Sequence, residues 1–479
     1  MRRLPPLLLF CCLAAAPLRA EPDPGLAAEL RAALVAPSGT GEAMLALADR
    51  MAQGVVLPGT PADAPRRVTG AARLRAGQIQ AALTQLSILS GGNGHLALQL
   101  AQASRTDVID LISGTATLAD LDGAEGAHQT RAGAWHLSRP LVVWPGAALV
   151  LSPGELLELD TAAGAFLLSF GDVTVTGATL RGDAGRNARI PDFRPFLLVT
   201  GQGTLRAERS TFADLGFRGP VAFRGVSVLT SGLMRPGAPV VVTGSRFERV
   251  FSFSLEGADG AILTRNRLAG SGAAAISVKG GSKLLLGGNR IIAPEKGAGL
   301  RLSGALREVA LLGNLVAGGG RNGLQIDGAT RGLVLRGNVL TGNAGAGVTI
   351  RNAACLSVQG NIIAGNGTAG LRLSRSGQAR IADNALLSNG GAGIEVDGQA
   401  GLGPVLLSGN LFADNREGLS AAGLGEVRLA GNDLSDQLPR QFAGDFVPWL
   451  APYLTAGADL VIPAAVAGIP ATSDPCQTE

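Results

Sequence analysis

Asparagine recurs at a nearly constant interval through the C-terminal half of the chain, and this repeat restricts the fold more than any other feature. The intervals are 23, 25, 24, 23, 23, 26 and 22 residues, for Asn266, Asn289, Asn314, Asn338, Asn361, Asn384, Asn410 and Asn432. An apolar residue recurs half a period away, at Ile276, Leu300, Leu324, Val348, Leu371, Ile394 and Leu419. A unit of about 24 residues with short alternating strands and no helix is typical of a right-handed parallel β-helix. We therefore predict an all-β solenoid. Leucine-rich repeats share the period, but their leucine-dense consensus is absent.

The repeated asparagines have two interpretations. As ligands, they would bind sugar. As structural residues, they would stack at one turn of successive coils, each side chain bonding to backbone and to its neighbour in the next coil. A binding site rarely needs one residue type in eight consecutive coils, so we favour the stack. We also expect these asparagines to adopt the left-handed φ that asparagine tolerates at turns.

Changes in composition divide the chain into four parts. Residues 1–20, MRRLPPLLLFCCLAAAPLRA, combine a basic start with a short apolar run, which predicts a signal peptide and export to the periplasm or beyond. Residues 21–125 are alanine-rich, and the apolar residues from Ile79 to Leu86 follow helical spacing. The β-helix is predicted over 126–435. Residues 436–479 break the repeat, and we expect their aromatic stretch to cover the open last coil rather than to form a sugar platform.

Charge and hydropathy exclude two classes of partner. Lys and Arg exceed Asp and Glu by 41 − 37 = 4, and three of those cations lie in the predicted signal peptide. The mature chain is too balanced for phosphate-driven binding of nucleic acid. No later segment reaches about 20 consecutive apolar residues, so no membrane-spanning helix is predicted. Cys355 and Cys476 remain after export; they could pair, but two separate small thiols are the interpretation we favour.

The outward side chains of one strand ladder form the candidate binding surface, since strand residues alternate in direction. If the recurring apolar residues point inward, the first outward column is Ser277, Arg301, Gln325, Thr349, Arg372 and Glu395. The second outward column is Lys279, Ser303, Asp327, Arg351, Ser374 and Asp397. We call the two columns together the polar stripe. Six coils about 4.8 Å apart give it a length of about 24 Å. Arginines interleaved with carboxylates and hydroxyls suit an anionic sugar chain, although an ordinary solvated face has the same composition.

Three stretches of the chain resemble the periplasmic mannuronan C5-epimerases of bacterial alginate biosynthesis. They are RPLVVWPGAALVL with GAFLLSFGDVTVTGATLRG (Arg139 to Gly182), FRPFLLVTGQGTLRAERSTFADLGF (Phe193 to Phe217) and FSFSLEGADGAILTRNRL (Phe251 to Leu268). With the repeats behind them, the likeness covers roughly residues 130–435. The resemblance implies a β-helix preceded by a helical segment, a periplasmic location and action on a uronate polymer.

The chain departs from that family at its catalytic motif. C5 inversion needs a base, a group that neutralises the carboxylate and a proton source. The family takes these from an Asp-Pro-His-Asp motif and from an arginine on the next coil. Here the motif positions hold Ser277, Val278, Lys279 and Gly280, and the arginine position holds Gly304. The histidines are His95, His128 and His136, and the sole tyrosine is Tyr453, so the repeats offer neither imidazole nor phenol.

Lys279 is the remaining candidate base, because lysine can lose its proton where arginine does not. Arg301 and Arg351 would hold a substrate carboxylate, Asp327 would orient the amine, and Gln325 and Arg372 would bind sugar. The alternative is that Lys279, Lys283 and Lys296, the three lysines of the chain, lie on a face without activity.

Three functions therefore stay open from the sequence. The first is an enzyme, either an epimerase or a lyase, that modifies a uronate-containing exopolysaccharide such as alginate. The second is an inactive relative that binds, guides or protects the polymer, with an export complex as a further partner. The third is a structural or adhesive β-helix without a glycan. No metal-binding motif is visible and no cofactor is expected, although calcium bridging the stripe and a sugar carboxylate stays open.

Overall fold

A computed structural model describes residues 56–57, 68–90, 95–102, 106–230, 238–292, 294, 296–456, 459–464 and 476. The predicted signal peptide lies outside the described residues. Within them, no helix is both long and apolar enough to cross a membrane.

The chain winds into a parallel β-solenoid of about 13 turns, so the predicted fold class is confirmed. A larger sheet bends into two faces, and a smaller sheet forms the third. The first face consists of β2 (Asp107–Ala116), β5 (Leu141–Val143), β8 (Leu167–Ser169), β11 (Leu197–Thr200), β14 (Gly225–Leu229), β17 (Ser252–Glu256), β20 (Ile276–Gly287), β22 (Leu300–Leu312), β24 (Leu324–Arg336), β26 (Val348–Gln359), β28 (Leu371–Ser374), β31 (Ala392–Asp397), β34 (Glu417–Ala422) and β37 (Phe442–Gly444).

The second face continues from the first around the coil. It consists of the C-terminal halves of β2, β20, β22, β24 and β26 with β6 (Ala147–Leu151), β9 (Asp172–Thr176), β12 (Leu205–Glu208), β15 (Val241–Thr243), β18 (Ile262–Thr264), β29 (Gly377–Ala382), β32 (Val405–Ser408) and β35 (Val427–Ala430). The long strands span both faces because they bend at residues of positive φ, such as Gly304 (76°) and Glu308 (53°) in β22.

The third face is the smaller sheet. It consists of β3 (Ala127–Arg131), β4 (Ala134–Leu137), β7 (Leu156–Leu159), β10 (Thr179–Gly182), β13 (Thr211–Ala213), β16 (Arg246–Glu248), β19 (Arg267–Ala269), β21 (Arg290–Ile292), β23 (Leu315–Ala317), β25 (Val339–Thr341), β27 (Ile362–Ala364), β30 (Ala385–Leu387), β33 (Leu411–Ala413) and β36 (Asp433–Asp436). All pairs in it are parallel except the β3–β4 hairpin. Short 3₁₀ helices occupy Leu118–Leu121, Val221–Phe223 and Val447–Trp449.

Apolar side chains fill the interior of the solenoid in stacked columns. The recurring apolar residues Leu300, Leu324, Val348, Leu371 and Ile394 are in register and at most 2% exposed. Burying each such side chain contributes about 1.5–3 kcal/mol, and the same contact recurs in every turn. This repetition is why a chain with few aromatic residues still builds a continuous core.

The asparagines form a buried ladder, as the structural interpretation predicts. Asn314 donates its side-chain amide to Asn338 Oδ1 and to the Leu286 carbonyl, at 2.9 and 2.8 Å. The backbone N–H of Asn314 also donates to Asn338 Oδ1, at 2.9 Å. The same contacts run from Asn266 to Asn432.

The expected left-handed φ of these asparagines is wrong. The residue before each asparagine makes the turn and carries it: a glycine in six coils, such as Gly313 (60°) and Gly337 (63°), where no Cβ opposes it, but Arg265 (55°) and Asp383 (56°) in the other two. The asparagine itself is then free to point its side chain along the stack. A second ladder lies five residues later and was not predicted: Asn343, Asn366, Asn389, Asn415 and Gln437.

Two helices lie near the N-terminal turns, in the predicted helical segment: α1 (Ile79–Ser90) and α2 (His95–Ala101). Ile79, Leu83 and Leu86 of α1 are buried at the predicted helical spacing. They belong to the same apolar cluster as Leu168 and Leu198, which point outward from the first face. The helices therefore close the first face over these turns.

The N-terminal segment also contains strands, which differs from the predicted boundary at residue 126. β1 (Arg73–Gln78) pairs antiparallel with β2, and β2 pairs parallel with β5 and β6 in the first turn. The alanine and glycine content of this part of the chain conceals the strands, because the alternation of apolar and polar residues is weak there.

The C-terminal segment packs over the last turn. Phe442, Phe446 and Tyr453 of β37 and α3 (Leu450–Thr455) join the interior cluster, and Tyr453 donates to the Asn432 carbonyl at 2.9 Å. β38 (Leu460–Ile462) pairs antiparallel with β35 and so ends that sheet.

Cys355 and Cys476 form a disulfide, with their Cα atoms 5.2 Å apart. The favoured interpretation as two separate thiols is therefore wrong. The bond links the C-terminal region to β26 of the solenoid, and a separation of 121 residues in sequence gave no sign of this proximity.

Candidate functional site

The two outward columns of the polar stripe exist as predicted. Over the stripe residues, each strand of the first face pairs with the next strand without a shift of register. The first column runs in register through Ser277, Arg301, Gln325, Thr349, Arg372 and Glu395, and the second through Lys279, Ser303, Asp327, Arg351, Ser374 and Asp397. Lys279, Arg301 and Arg351 are exposed; Gln325, Asp327 and Arg372 are half-buried. Thr349 is 4% exposed and offers little to a ligand.

Lys279 has a partner that the sequence did not suggest. Its Nζ lies 3.6 Å from Glu256 Oε1 on the preceding turn, and its side chain is 65% exposed. Asp327, which was expected to orient the amine, stands two turns further along the column, about 10 Å away. The contact is an ordinary surface ion pair. Glu256 could have been found from the sequence, because Phe253 stands 23 residues before Ile276 and extends the inward column by one turn.

Arginines supply the exposed positive charge of the stripe. Within the described residues, neither Arg301 nor Arg351 makes a salt bridge, so both guanidinium groups face solvent with unused donors. Arg372 differs: its Nε and Nη2 both bind Glu395 Oε2, at 2.8 and 2.6 Å. The stripe thus has two arginines available to a ligand and one already neutralised.

A pair of carboxyl groups, Glu395 and Asp397, ends the charged part of the stripe. Burial, the charge of Glu395 and a hydrogen bond between the two side chains raise the pKa of Asp397 above its ordinary value of 3.8. Arg372 and Arg351 act in the opposite direction but do not outweigh them. Asp397 is therefore the stripe residue most ready to hold a proton. The sequence placed both carboxyls in the stripe but gave no sign that they interact.

The histidines and the tyrosine of the described chain stand on elements other than the strands of the stripe. His128 and His136 face each other on the third face, across the β3–β4 hairpin, and His95 starts α2. Tyr453 lies in the C-terminal cap, where burial raises its pKa to about 12. Gly304, at the position of the family's arginine, makes the bend beside Lys279. The stripe can therefore bind and neutralise carboxylates more readily than it can remove a proton from carbon.

The polar stripe starts where the helical cover ends. The first outward column is apolar and buried at Val142, Leu168 and Leu198, then changes to Ser227 and Ser254 before reaching Ser277. The apolar part is the part covered with α1 and α2. An extended ligand on this face would thus have one closed end, at the N-terminal turns, and one open end toward Asp397.

Comparison with protein families places this architecture in the right-handed β-helix class. The family model described as "Right handed beta helix region" matches residues 197–358 and 251–434, the region that carries the asparagine ladders and the stripe. The chain is a right-handed β-helix protein, as the repeat predicted. A comparison of the sequence with curated proteins gives no match.

Among solved structures, the chain is similar to the periplasmic alginate epimerase AlgG. The sequences are 17% identical, the match covers 81% of this chain and 98% of that one, and the TM-score is 0.61. A single-substitution mutant of that epimerase gives 16% identity, the same coverage and a TM-score of 0.62. The A-module of the Azotobacter vinelandii mannuronan C-5 epimerase AlgE6 is 15% identical, with a TM-score of 0.33 over 68% of this chain and 93% of the module. The overall fold is thus shared with AlgG along nearly its whole length.

Proposed function

We propose that this protein binds a uronate-containing exopolysaccharide of the alginate type along the polar stripe. The observation that carries the proposal is the pair of exposed arginines, Arg301 in the first outward column and Arg351 in the second, two turns further along, both without salt bridges among the described residues. Guanidinium groups hold carboxylates through paired hydrogen bonds. Gln325, Asp327 and Lys279 add donors and acceptors for sugar hydroxyls along the same columns.

Binding without turnover fits the chemistry of the stripe best. C5 inversion and β-elimination both begin with removal of the proton beside the uronate carboxylate, which requires a base next to a neutralising cation. Lys279 is exposed and paired with Glu256, and Gly304 provides no cation beside it. The fold is therefore used here as a scaffold that holds polymer, which corresponds to the second of the three functions that the sequence left open.

Modification of the same polymer is the second candidate, and one observation favours it. The raised pKa of Asp397 gives the stripe a carboxylic acid that can donate a proton, with Glu395 as an adjacent carboxylate and Arg351 nearby. An epimerase or a lyase built on this pair would leave Lys279 a binding residue. The similar solved structure is described as an alginate epimerase, which makes polymannuronate the substrate to test.

The experiment incubates the purified mature protein with polymannuronate in deuterated water, with and without calcium, and follows C5 by proton NMR. Retardation of the protein on a polymannuronate affinity gel is measured in parallel. We expect retardation without deuterium incorporation. Incorporation that survives Lys279→Ala would favour modification by the carboxyl pair, whereas incorporation that Lys279→Ala abolishes would identify the lysine as base. Absence of both retardation and exchange would contradict the proposal.

The pH dependence of binding tests the role of Asp397. Because its carboxyl pKa is raised, Asp397 takes up a proton while the pH is still above 3.8. The carboxylate becomes neutral, so the net charge of the stripe becomes one unit more positive. The polymer's own carboxylates stay ionised until the ordinary carboxyl range is reached. We expect binding to strengthen about two- to fivefold as the pH falls from neutral toward the ordinary carboxyl range. Asp397→Asn should bind at neutral pH as tightly as the wild type does in acid, with a flat profile; an unchanged slope would show that other groups are responsible.

We further propose that the protein is located in the periplasm. Contact of the protein with an exopolysaccharide export complex stays a prediction. Three observations support this location: the similar solved structure is that of a periplasmic protein, the sequence predicts a signal peptide, and the disulfide is of a kind that persists in oxidising compartments. Fractionation of cells that express the full chain, followed by protein detection in the periplasmic fraction, tests this.

A further inference from the structure

A histidine and two aspartates meet on the third face, far from the polar stripe. His136 lies in β4, Asp160 directly follows β7, and Asp183 directly follows β10. Asp160 and Asp183 occupy equivalent positions one coil apart, whereas His136 pairs with Glu158 and so lies two residues before the corresponding position in its own coil. Because β4, β7 and β10 are adjacent parallel strands, the three side chains project from the same edge of three successive turns.

Their potential ligand atoms converge on one point. One nitrogen or oxygen from each residue lies within 4.8 Å of the others, and His136 Nε2 is 3.8 Å from Asp183 Oδ2. The backbone holds both carboxylates in place. Asp160 Oδ1 accepts the N–H of Ala163 at 2.8 Å, and Asp183 Oδ1 accepts the N–H groups of Thr161 and Gly185 at 2.9 and 3.0 Å. One oxygen of each aspartate is thus fixed, and the second stays available.

Two features of the arrangement favour a bound cation. Two carboxylates stacked one coil apart, at about 5 Å, repel each other unless positive charge lies between them. His136 also has ring nitrogens that the polypeptide leaves open: its side chain is only 16% exposed, its Nδ1 is buried with no hydrogen-bond partner in the described part of the chain, and its Nε2 is 3.8 Å from Asp183 Oδ2, too far for a hydrogen bond. Buried polar atoms are normally paired, so an imidazole in this position indicates a ligand that the polypeptide does not supply.

We propose that His136, Asp160 and Asp183 bind one divalent first-row transition-metal ion, of the Zn²⁺ or Mn²⁺ class. One imidazole nitrogen with two carboxylate oxygens suits such ions, whereas Ca²⁺ takes six to eight oxygens. Ligand atoms around one ion lie about 3–3.5 Å apart, so binding draws the three side chains together by about 1 Å. Three protein ligands leave coordination positions for water. The ion would link three turns at the N-terminal end of the solenoid, independently of the function proposed for the stripe.

Metal titration of the tag-free, chelator-treated mature protein tests the site. Titration calorimetry with Zn²⁺ and with Mn²⁺ should show one ion bound per chain. Either ion should raise the melting temperature of the protein. Bound Co²⁺ should give an absorption spectrum typical of nitrogen and oxygen ligands. His136→Gln and Asp160→Asn should each weaken binding at least about 100-fold. Asp183→Asn should weaken binding by the same factor. It keeps the Oδ1 acceptor for the N–H groups of Thr161 and Gly185, so without metal its melting temperature should equal that of the metal-free wild type, which would show that the fold is intact.

His95→Gln is the matched control, since it removes an imidazole from α2 and should leave both stoichiometry and affinity unchanged. The proposal is overturned if the wild type takes up no ion at micromolar concentrations. It is equally overturned if His136→Gln and Asp183→Asn bind like the wild type, because the ion would then be held elsewhere.

Discussion

Replacing Arg301 and Arg351 together by glutamine is expected to weaken binding of polymannuronate about 100-fold or more. Both guanidinium groups are exposed on the polar stripe, and neither makes a salt bridge within the described chain, so a sugar carboxylate meets them without competition. A hydrogen bond to a charged group contributes about 1.5–3 kcal/mol, and two such contacts correspond to at least a 100-fold change. Calorimetry or gel retardation at one fixed ionic strength measures the effect, since salt alone weakens such contacts.

The matched control is the double variant Arg246→Gln with Arg267→Gln on the third face. These two arginines are also exposed and lie close together, in register on neighbouring turns, so the substitution removes the same charge from a different surface. We expect it to change affinity less than about threefold. If the control weakens binding as much as the stripe variant does, general charge attracts the polymer and the stripe is not the site.

Arg372→Gln should have a smaller effect than either exposed arginine. Its guanidinium is already held by Glu395, and a sugar carboxylate would have to displace that contact. In the single variants, the loss of affinity should therefore be larger for Arg301 and Arg351, whose guanidinium groups are not in a salt bridge within the described residues, than for Arg372. If the loss is largest for Arg372, the ligand must break the Arg372–Glu395 ion pair.

Replacing Asn338 by alanine is expected to lower the free energy of unfolding by about 3 kcal/mol. Asn338 Oδ1 accepts two N–H groups of Asn314, and its amide donates to Leu311 and to Asn361 Oδ1, all at 2.8–2.9 Å. Alanine leaves these buried groups without partners, at a cost of about 1–3 kcal/mol for each unsatisfied group. Urea denaturation followed by circular dichroism measures the change.

Gln202→Ala provides the comparison for the ladder, because Gln202 is an exposed amide on a turn and its loss should change stability by less than about 0.5 kcal/mol. Equal midpoints for Asn338→Ala and Gln202→Ala would contradict the ladder as a source of stability.

The two ladders also bear on specificity of the fold: each asparagine is satisfied only if the neighbouring coil is in register, so a one-residue slip breaks every contact in the stack.

The sequence alone determined the solenoid, its register and the content of the stripe. A period of about 24 residues means that residues one period apart occupy equivalent positions in successive coils, so both outward columns follow from counting and from the alternation of strand side chains. The same counting places Asn338 above Asn314, and it would have found the second ladder and Glu256 had it been carried further. Local repetition suffices here because each coil contacts mainly its neighbours.

Only the tertiary structure decided which groups meet across different positions of the coil or from outside it. Examples are the disulfide between Cys355 and Cys476, the apolar cover formed with α1, and the hydrogen bond between Glu395 and Asp397, which depend on side-chain direction or on segments that do not repeat. The left-handed φ fell on Gly313 and its equivalents for a similar reason, since the backbone path assigns the turn to the position before the asparagine even where that residue is Arg265 or Asp383. The sequence period determines which residues are neighbours in successive coils. The three-dimensional packing determines which of them form ion pairs, hydrogen bonds or a metal site.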